Sequence, residues 1–375
     1  MVNVMNIKEK IINYSKGIGI DLIGFTNVQI YDDLRPILED REKKNFLSGF
    51  EEKDIEKRIN PRLILDDAKT IIVIGISYHN DRDKIKERDK NKAFGMVSKS
   101  SWGMDYHIVL REKMKTLSEY IQDEVEGFEY KYFVDTGPLV DRHLAYMAGI
   151  GMYGKNNCII SKKYGSWIFI GYIVSNLEAE IDIPQKRGCN GCNICINSCP
   201  TGALMEDYEY NSKLCISYLT QTKDDIDYDL REKMGRSLYG CDICQQVCPC
   251  NQDVANGNTD FIPVNENDTP NLFELLKLSN KEFKKRFNEV ALGWRGNRII
   301  KRNALIALGN SNEKELVKEL VDYLNNPSPM IRKYTAWAII RLDKVSGKTI
   351  LDEYLKKEKE TEVIEEIEKL YDYYL

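Results

Sequence analysis

No run of apolar residues in this sequence approaches the ~20 that a membrane-spanning helix needs, so an integral helical membrane protein is excluded. The first residues, MVNVMNIKEKIINYSKG, alternate charge with aliphatics like an amphipathic helix rather than a secretion signal. A cytoplasmic protein that engages no membrane is expected. Histidine is scarce: His79, His107 and His143 are the three present, and none falls in a complete ligand motif. All three are read as ordinary.

An excess of positive charge is lacking too, since the formal net charge is -5, which for the chain as a whole argues against a polyanionic partner. The deficit is local, however. Residues 351–375 carry nine acidic and four basic side chains, a net of -5, and account for the whole imbalance. Between Lys281 and Arg302 the balance reverses: Lys281, Lys284, Lys285, Arg286, Arg295, Arg298, Lys301 and Arg302 face only Glu282 and Glu289, a local +6. That stretch reads as a phosphate-binding surface or as a solvated helical face.

Cysteine, by contrast, is plentiful, at ten residues, most of them in two short clusters. In a reducing compartment they are ligands for metal rather than disulfides. A chain of 375 residues also exceeds what one core serves, so two or three domains are expected. Residues 6–180 alternate helix-period stretches, such as DYHIVLREKMKTLSEYIQDEVE, with the strand-like runs DLIGFTNV, TIIVIGISYH, FEYKYFVDTG and SWIFIGYIVSN. A cysteine-rich segment runs from Arg187 to Asp253. After the linker NGNTDFIPVNENDTPN come paired helical patterns, with RNALIAL and KYTAWAI about 30 residues apart as in HEAT-like repeats. The expected layout is α/β over residues 1–180, ferredoxin-like over 181–260 and α-helical over 261–375, an α+β or α/β chain with a helical tail.

Cys189, Cys192, Cys195 and Cys199 are spaced C-x2-C-x2-C-x3-C and followed by proline, the bacterial ferredoxin run, whose fourth cysteine serves the other of two clusters. CDICQQVCPC repeats the logic with one cysteine missing from its front, and Cys215 fills the gap. The assignment is crosswise: Cys189, Cys192, Cys195 and Cys248 hold one 4Fe–4S cluster, and Cys199, Cys215, Cys241 and Cys244 hold the second. Zinc is the competing reading of C-x2-C pairs. Cys250 is left over, and Cys158 reads as a small buried hydrophobe.

The segment FVDTGPLVDRHLAYMAGIGMYGKNN ends a strand at Asp135, turns, and enters a helix that stops at glycines. A strand-end carboxylate suits catalysis, but a cap on the following helix is the plainer reading. Asp141-Arg142-His143 opens the D-x-H motif by which some cobalamin proteins supply an axial histidine, yet Tyr146 stands where that motif needs glycine. His143 is therefore not read as a cobalt ligand.

KRINPRLILDDAKTIIVIGISYH, SSWGMDYH, the VDTGP…DR…AGIG…GKN block, both cysteine clusters and the helical tail together resemble the epoxyqueuosine reductase family in the same order along nearly the whole chain. The resemblance implies a cytoplasmic, tRNA-modifying enzyme that converts epoxyqueuosine to queuosine at the wobble position. It implies cobalamin without a histidine below the cobalt beside two 4Fe–4S clusters, electrons passing through the clusters, and Asp135 as proton donor. That role calls for a raised pKa, which desolvation would supply. Arg58, Lys155, Asn156, Asn157, Ser217 and Asp242, with Asp135, lie in segments matching the family's cobalamin-binding regions. Lys223, Lys284, Lys285, Arg298 and Arg302 are the candidate tRNA contacts. A monomer served by a separate electron donor is expected. The competing readings are a dehalogenase-like cobalamin reductase of a small molecule, and a ferredoxin-type carrier with a HEAT interaction module.

Overall fold

A computed structural model of the chain describes residues 6–80, 93–186, 188–264 and 267–375. Residues 1–5 of the amphipathic start, Arg187 at the head of the cysteine-rich segment and residues 265 and 266 of the linker lie outside them. The chain divides into two compact units: Met1–Asp83 with Met104–Cys215 and Asp242–Ile262, and Lys84–Gly103 with Ile216–Cys241 and Pro263–Leu375.

In the first unit the four strand-like runs form one sheet: β1 (Leu22–Asn27), β2 (Thr70–Ser77), β3 (Tyr130–Val134) and β4 (Ile168–Ser175). The order is β1-β2-β4-β3, and every pairing is antiparallel. TIIVIGIS is almost continuously apolar because β2 is central and covered on both faces. Ile72, Ile74 and Ile76 pack with Val109, Leu110, Met114 and Leu117 of the helix Tyr106–Glu124. Ile71 and Val73 point the other way, toward Leu144 and Ala145 of the helix Asp141–Met147. Each such fully buried aliphatic contributes about 1.5–3 kcal/mol, so this strand anchors both layers. Gly171 of β4 lets Met114 and Leu110 approach closely: a Cβ there would lie 3.0 Å from the Met114 sulfur.

The second unit is mainly helical, with one short parallel pairing of Met96–Val97 and Ser237–Tyr239. The helix Asn297–Gly309 packs on Pro329–Leu342, which packs in turn on Lys344–Leu355 and Thr361–Tyr374. Between the first two helices the chain makes only short helical turns, Lys314–Leu316, Val317–Leu320 and Val321–Asn325. The acidic tail is partly neutralised from within: Glu366 pairs with the buried Arg231 at 2.8 Å, Glu358 with Arg332 at 2.7 Å and Glu362 with Lys333 at 3.2 Å.

Candidate functional site

Asp135 follows the last residue of β3 with φ +56°, and the Thr136 N–H donates back to the Val134 carbonyl, closing a γ-turn about it. Aspartate tolerates this left-handed backbone better than most residues, at a cost that functional sites often carry. Gly137 is obligatory behind it, because a Cβ would lie 2.1 Å from the Tyr172 hydroxyl, which accepts from the Leu139 N–H. Asp135 does not cap the next helix. That helix begins at Asp141 behind Val140, with no side-chain cap. Since the sheet is antiparallel, the turn itself, rather than a crevice at the end of a parallel sheet, sets the carboxylate's position.

Two neighbours hold the carboxylate. The Tyr106 hydroxyl donates to Asp135 Oδ2 at 3.0 Å, and His107 Nε2 lies 3.7 Å from the same oxygen, within ion-pair reach. On its far side His107 Nδ1 lies 2.8 Å from Asp105 Oδ1, the same oxygen that accepts the His107 backbone N–H as helix cap. Both ring nitrogens therefore face carboxylates. Burial alone would lower the His107 pKa; Asp105 and Asp135 overcome it and push it up to about 9. His107 in turn holds Asp135 below the usual carboxylate range, against burial and with help from Tyr106 and Arg142. The protein's own groups thus lower the pKa of Asp135. The raised group is Asp141, pushed to about 7 by burial and then by the charge of Asp135. Reading His107 as ordinary missed it. The available signal was D-Y-H at a helix start, which puts an N-cap carboxylate beside an imidazole two residues on.

Asp135, Asp141, Arg142 and Arg58 act electrostatically on one another. The Asp135 side chain keeps 62% of its surface exposed, so the carboxylate is open to solvent and to a ligand. Arg142 is fixed by donating to the Asn157 carbonyl at 2.6 Å. The two residues before Asn157, Lys155 and Asn156, line a small cleft with Cys189, Cys192, Cys195 and Cys248. The Lys155 ammonium donates to Asn193 Oδ1 at 2.6 Å, and the buried Asn156 Nδ2 has no hydrogen-bond partner. Cys250 is exposed and does not line this cleft.

The two short helices that carry the cluster motifs, Ile194–Asn197 and Ile243–Gln246, pack on each other. Burial pushes the Cys248 thiol up to about 11, so a cationic metal centre is needed to hold it as thiolate. Among the described residues no three His, Cys, Asp or Glu side chains gather closely enough for a single ion. Four thiols spread round a cleft suit a cluster better than tetrahedral zinc. Cys199 behaves oppositely: burial would raise its pKa, but backbone N–H groups of Leu204, Thr201 and Ala203, with the Thr201 hydroxyl, bring it below the usual thiol value. Cys215 and Cys244 both act on Tyr210, while Cys241 belongs to the span of the second unit and precedes Asp242 directly. Cys158 is partly buried, and its pKa is pushed up to about 12 by burial first and then by Cys215, Cys248 and Cys195. Asp242 is buried near Tyr78. Ser217, in the second unit, accepts through its carbonyl from Gln221 Nε2 at 2.9 Å.

Of the candidate RNA contacts, Lys223, Lys284, Lys285 and Arg298 are exposed. Arg302 is not available: it is 1% exposed and donates to the carbonyls of Leu219, Thr222 and Asp224. Its charge is consumed in holding that segment onto the helix, which removes it from any phosphate surface.

Residues 188–251 match the 4Fe-4S double cluster binding domain, and residues 291–370 match HEAT repeats. With the exposed Asp135 carboxylate, these define a double-cluster iron–sulfur oxidoreductase. Residues 58–136 match the family described as Epoxyqueuosine reductase QueG, DUF1730. The chain is 40% identical over 370 residues to the epoxyqueuosine reductase of Bacillus subtilis, covering 98% of this chain and 96% of that one. It is 33% identical to that of Escherichia coli, over 82% of each. A crystal structure of selenomethionine-labelled epoxyqueuosine reductase superposes with a TM-score of 0.92 over 97% of this chain and 98% of that one, at 40% identity. An epoxyqueuosine reductase bound to a tRNA-Tyr epoxyqueuosine-modified stem loop superposes at 0.91, at 39% identity over 97% and 98%. The chain belongs to the epoxyqueuosine reductase family.

Proposed function

We propose that this chain reduces epoxyqueuosine to queuosine at the wobble position of tRNA, in the cytoplasm, with Asp135 delivering protons to the departing oxygen. The observation that carries the reading is Asp135, posed in a γ-turn with its carboxylate exposed and joined to His107 and Asp105. Deoxygenation of an epoxide takes two electrons and two protons and releases water. Cobalamin would supply a strongly nucleophilic metal centre and the two 4Fe–4S clusters the electrons, one at a time.

The donor sets fit these groups. Cys189, Cys192, Cys195 and Cys248 would hold one cluster around the cleft they line. Cys199, Cys215, Cys241 and Cys244 remain for the second. Arg58 and Asn157, each linked to Arg142, would hold polar groups of a corrin near Asp135. Lys155 and Asn156 face the thiol cleft instead, and the unpartnered Asn156 Nδ2 is a donor suited to cluster sulfur.

The proton logic follows from the depressed Asp135. At neutral pH Asp135 is a carboxylate and His107 an imidazolium, so the resting proton sits on the ring. As negative charge grows on the substrate oxygen, the proton moves from His107 Nε2 to Asp135 and on to that oxygen. Asp105 keeps the ring oriented and charged, and a second transfer follows once His107 is reloaded from solvent.

The test is anaerobic incubation of the reconstituted protein with cobalamin, reductant and epoxyqueuosine-containing tRNA, followed by nucleoside mass analysis. Loss of one oxygen is expected. An unchanged nucleoside alongside full cofactor loading contradicts the reading. Asp135→Asn is expected to keep tRNA binding and cofactor content while losing turnover.

A further inference from the structure

Trp294 keeps 55% of its surface exposed, yet its ring is held on two sides. Nε1 donates to Gln221 Oε1 at 3.1 Å, and the Arg295 guanidinium lies 4.3 Å from the ring centroid. Arg295 itself donates through Nε to the Gln221 carbonyl, so ring, cation and the 221 turn form one clamp. The short helix that carries them, Ala291–Arg295, also packs against Lys99–Ser101. An indole in the core would need no such clamp. One fixed in place while facing water offers an aromatic plane whose ordering entropy is already spent.

The charges around it have one dominant sign. Lys223, two residues past the Gln221 anchor, is exposed, and so is Arg298 on the first turn of the helix that follows. The neighbouring acids are exposed but already engaged: Asp224 accepts from the Thr222 hydroxyl at 2.9 Å and Asp225 pairs with Lys333 at 2.9 Å. An aromatic face backed by an arginine, with cations on either side, is the arrangement by which proteins hold unpaired bases and their phosphates.

We propose that Trp294, backed by Arg295, is a stacking platform for one unpaired base of the RNA substrate, with Lys223 and Arg298 engaging the adjoining phosphates. The inference rests on the reading of this chain as a tRNA-modifying enzyme, and it adds where a single-stranded part of that tRNA is gripped.

The experiment measures binding of an anticodon stem-loop RNA to the cluster-loaded full chain across a salt series, for the parent protein, Trp294→Ala, Trp294→Phe and Lys223→Glu. Stacking on one base is worth about five- to hundredfold in Kd, so Trp294→Ala should weaken binding within that range while Trp294→Phe retains most of the affinity. The dependence of log Kd on log salt should stay unchanged in Trp294→Ala and flatten by about 0.7 in Lys223→Glu, because stacking is uncharged and a phosphate contact is not. Indole fluorescence of the parent protein should be quenched by the stem-loop and not by a blunt duplex of the same stem, and Trp294→Phe should abolish the difference. Unaltered affinity in a folded Trp294→Ala protein, or equal weakening toward the blunt duplex, overturns the platform while leaving the tRNA reading intact. No binding of the stem-loop by the parent protein overturns both.

Discussion

Replacing Asp105 with asparagine isolates the charge on His107 from the architecture around it. Asparagine is as good a helix N-cap as aspartate, so the contact that starts the helix Tyr106–Glu124 survives and the ring keeps a hydrogen-bond acceptor at Nδ1. What is lost is one of the two carboxylates that push the His107 pKa up to about 9, leaving burial, which lowers it, opposed by Asp135 alone. The pKa should fall toward ~7, near the ordinary histidine value. The sign follows from the donor role: the imidazolium is the active form, so turnover declines as pH rises through the His107 pKa, and the alkaline limb should move down from about 9 by the same displacement. At pH 8.5 the protonated fraction then drops from roughly three-quarters to roughly 3%, a loss of about twentyfold in rate. The assay is single-turnover conversion of epoxyqueuosine-containing tRNA by pre-reduced enzyme from pH 6 to 10, with cofactor content and thermal melting as controls. An alkaline limb that stays put in a folded, loaded Asp105→Asn protein refutes the proton path. The same pairing stabilises the fold fully below the unfolded-state histidine pKa, and that contribution is lost as pH rises through about 9.

Three further outcomes test other parts of the molecule. Cys215→Ala should lower iron from about eight toward about four atoms per chain, measured by iron and sulfide analysis after anaerobic reconstitution; unchanged iron would remove Cys215 from the ligand set. Reversing Lys284, Lys285 and Arg298 together should weaken RNA binding and flatten its salt dependence by about two in slope, with melting temperature little changed because all three are exposed. Arg302→Leu should do the opposite, destabilising the protein by about 3 kcal/mol or more through three carbonyls left without their donor, while leaving the salt slope of RNA binding alone; denaturant unfolding measures the first and the salt series the second.

What was legible in the sequence is what short-range pattern determines. All four strand-like runs became strands of the sheet because their apolar periodicity reports burial on one or both faces. The ferredoxin-type cysteine spacing marked the double-cluster domain, since ligand number is a property of the metal centre rather than of the fold. The left-handed backbone at Asp135 agrees with a D-T-G-P turn. His107 was less legible: its partner Asp105 is two residues away, but Asp135 is 28 residues along the chain, and only the packing of the helix Tyr106–Glu124 against the sheet brings the two together.

Arg298 and Arg302 mark the boundary most clearly. Four residues apart on one helix, they share a face, and nothing local distinguishes them. The segment from Leu219 to Asp224 lies over one and leaves the other in water, so a presumed phosphate contact became an internal strut. The same holds for Asp135 and Asp141, alike in chemistry, one held down by an imidazolium and the other pushed up by burial and by its neighbour's charge. The sequence by itself determined the strands and the longer helices of the tail, because these depend on side-chain type and local spacing. Only the tertiary structure decided which charges are exposed, which are paired and where the proton rests, because electrostatic free energy depends on distance and burial, which neighbours far along the chain supply.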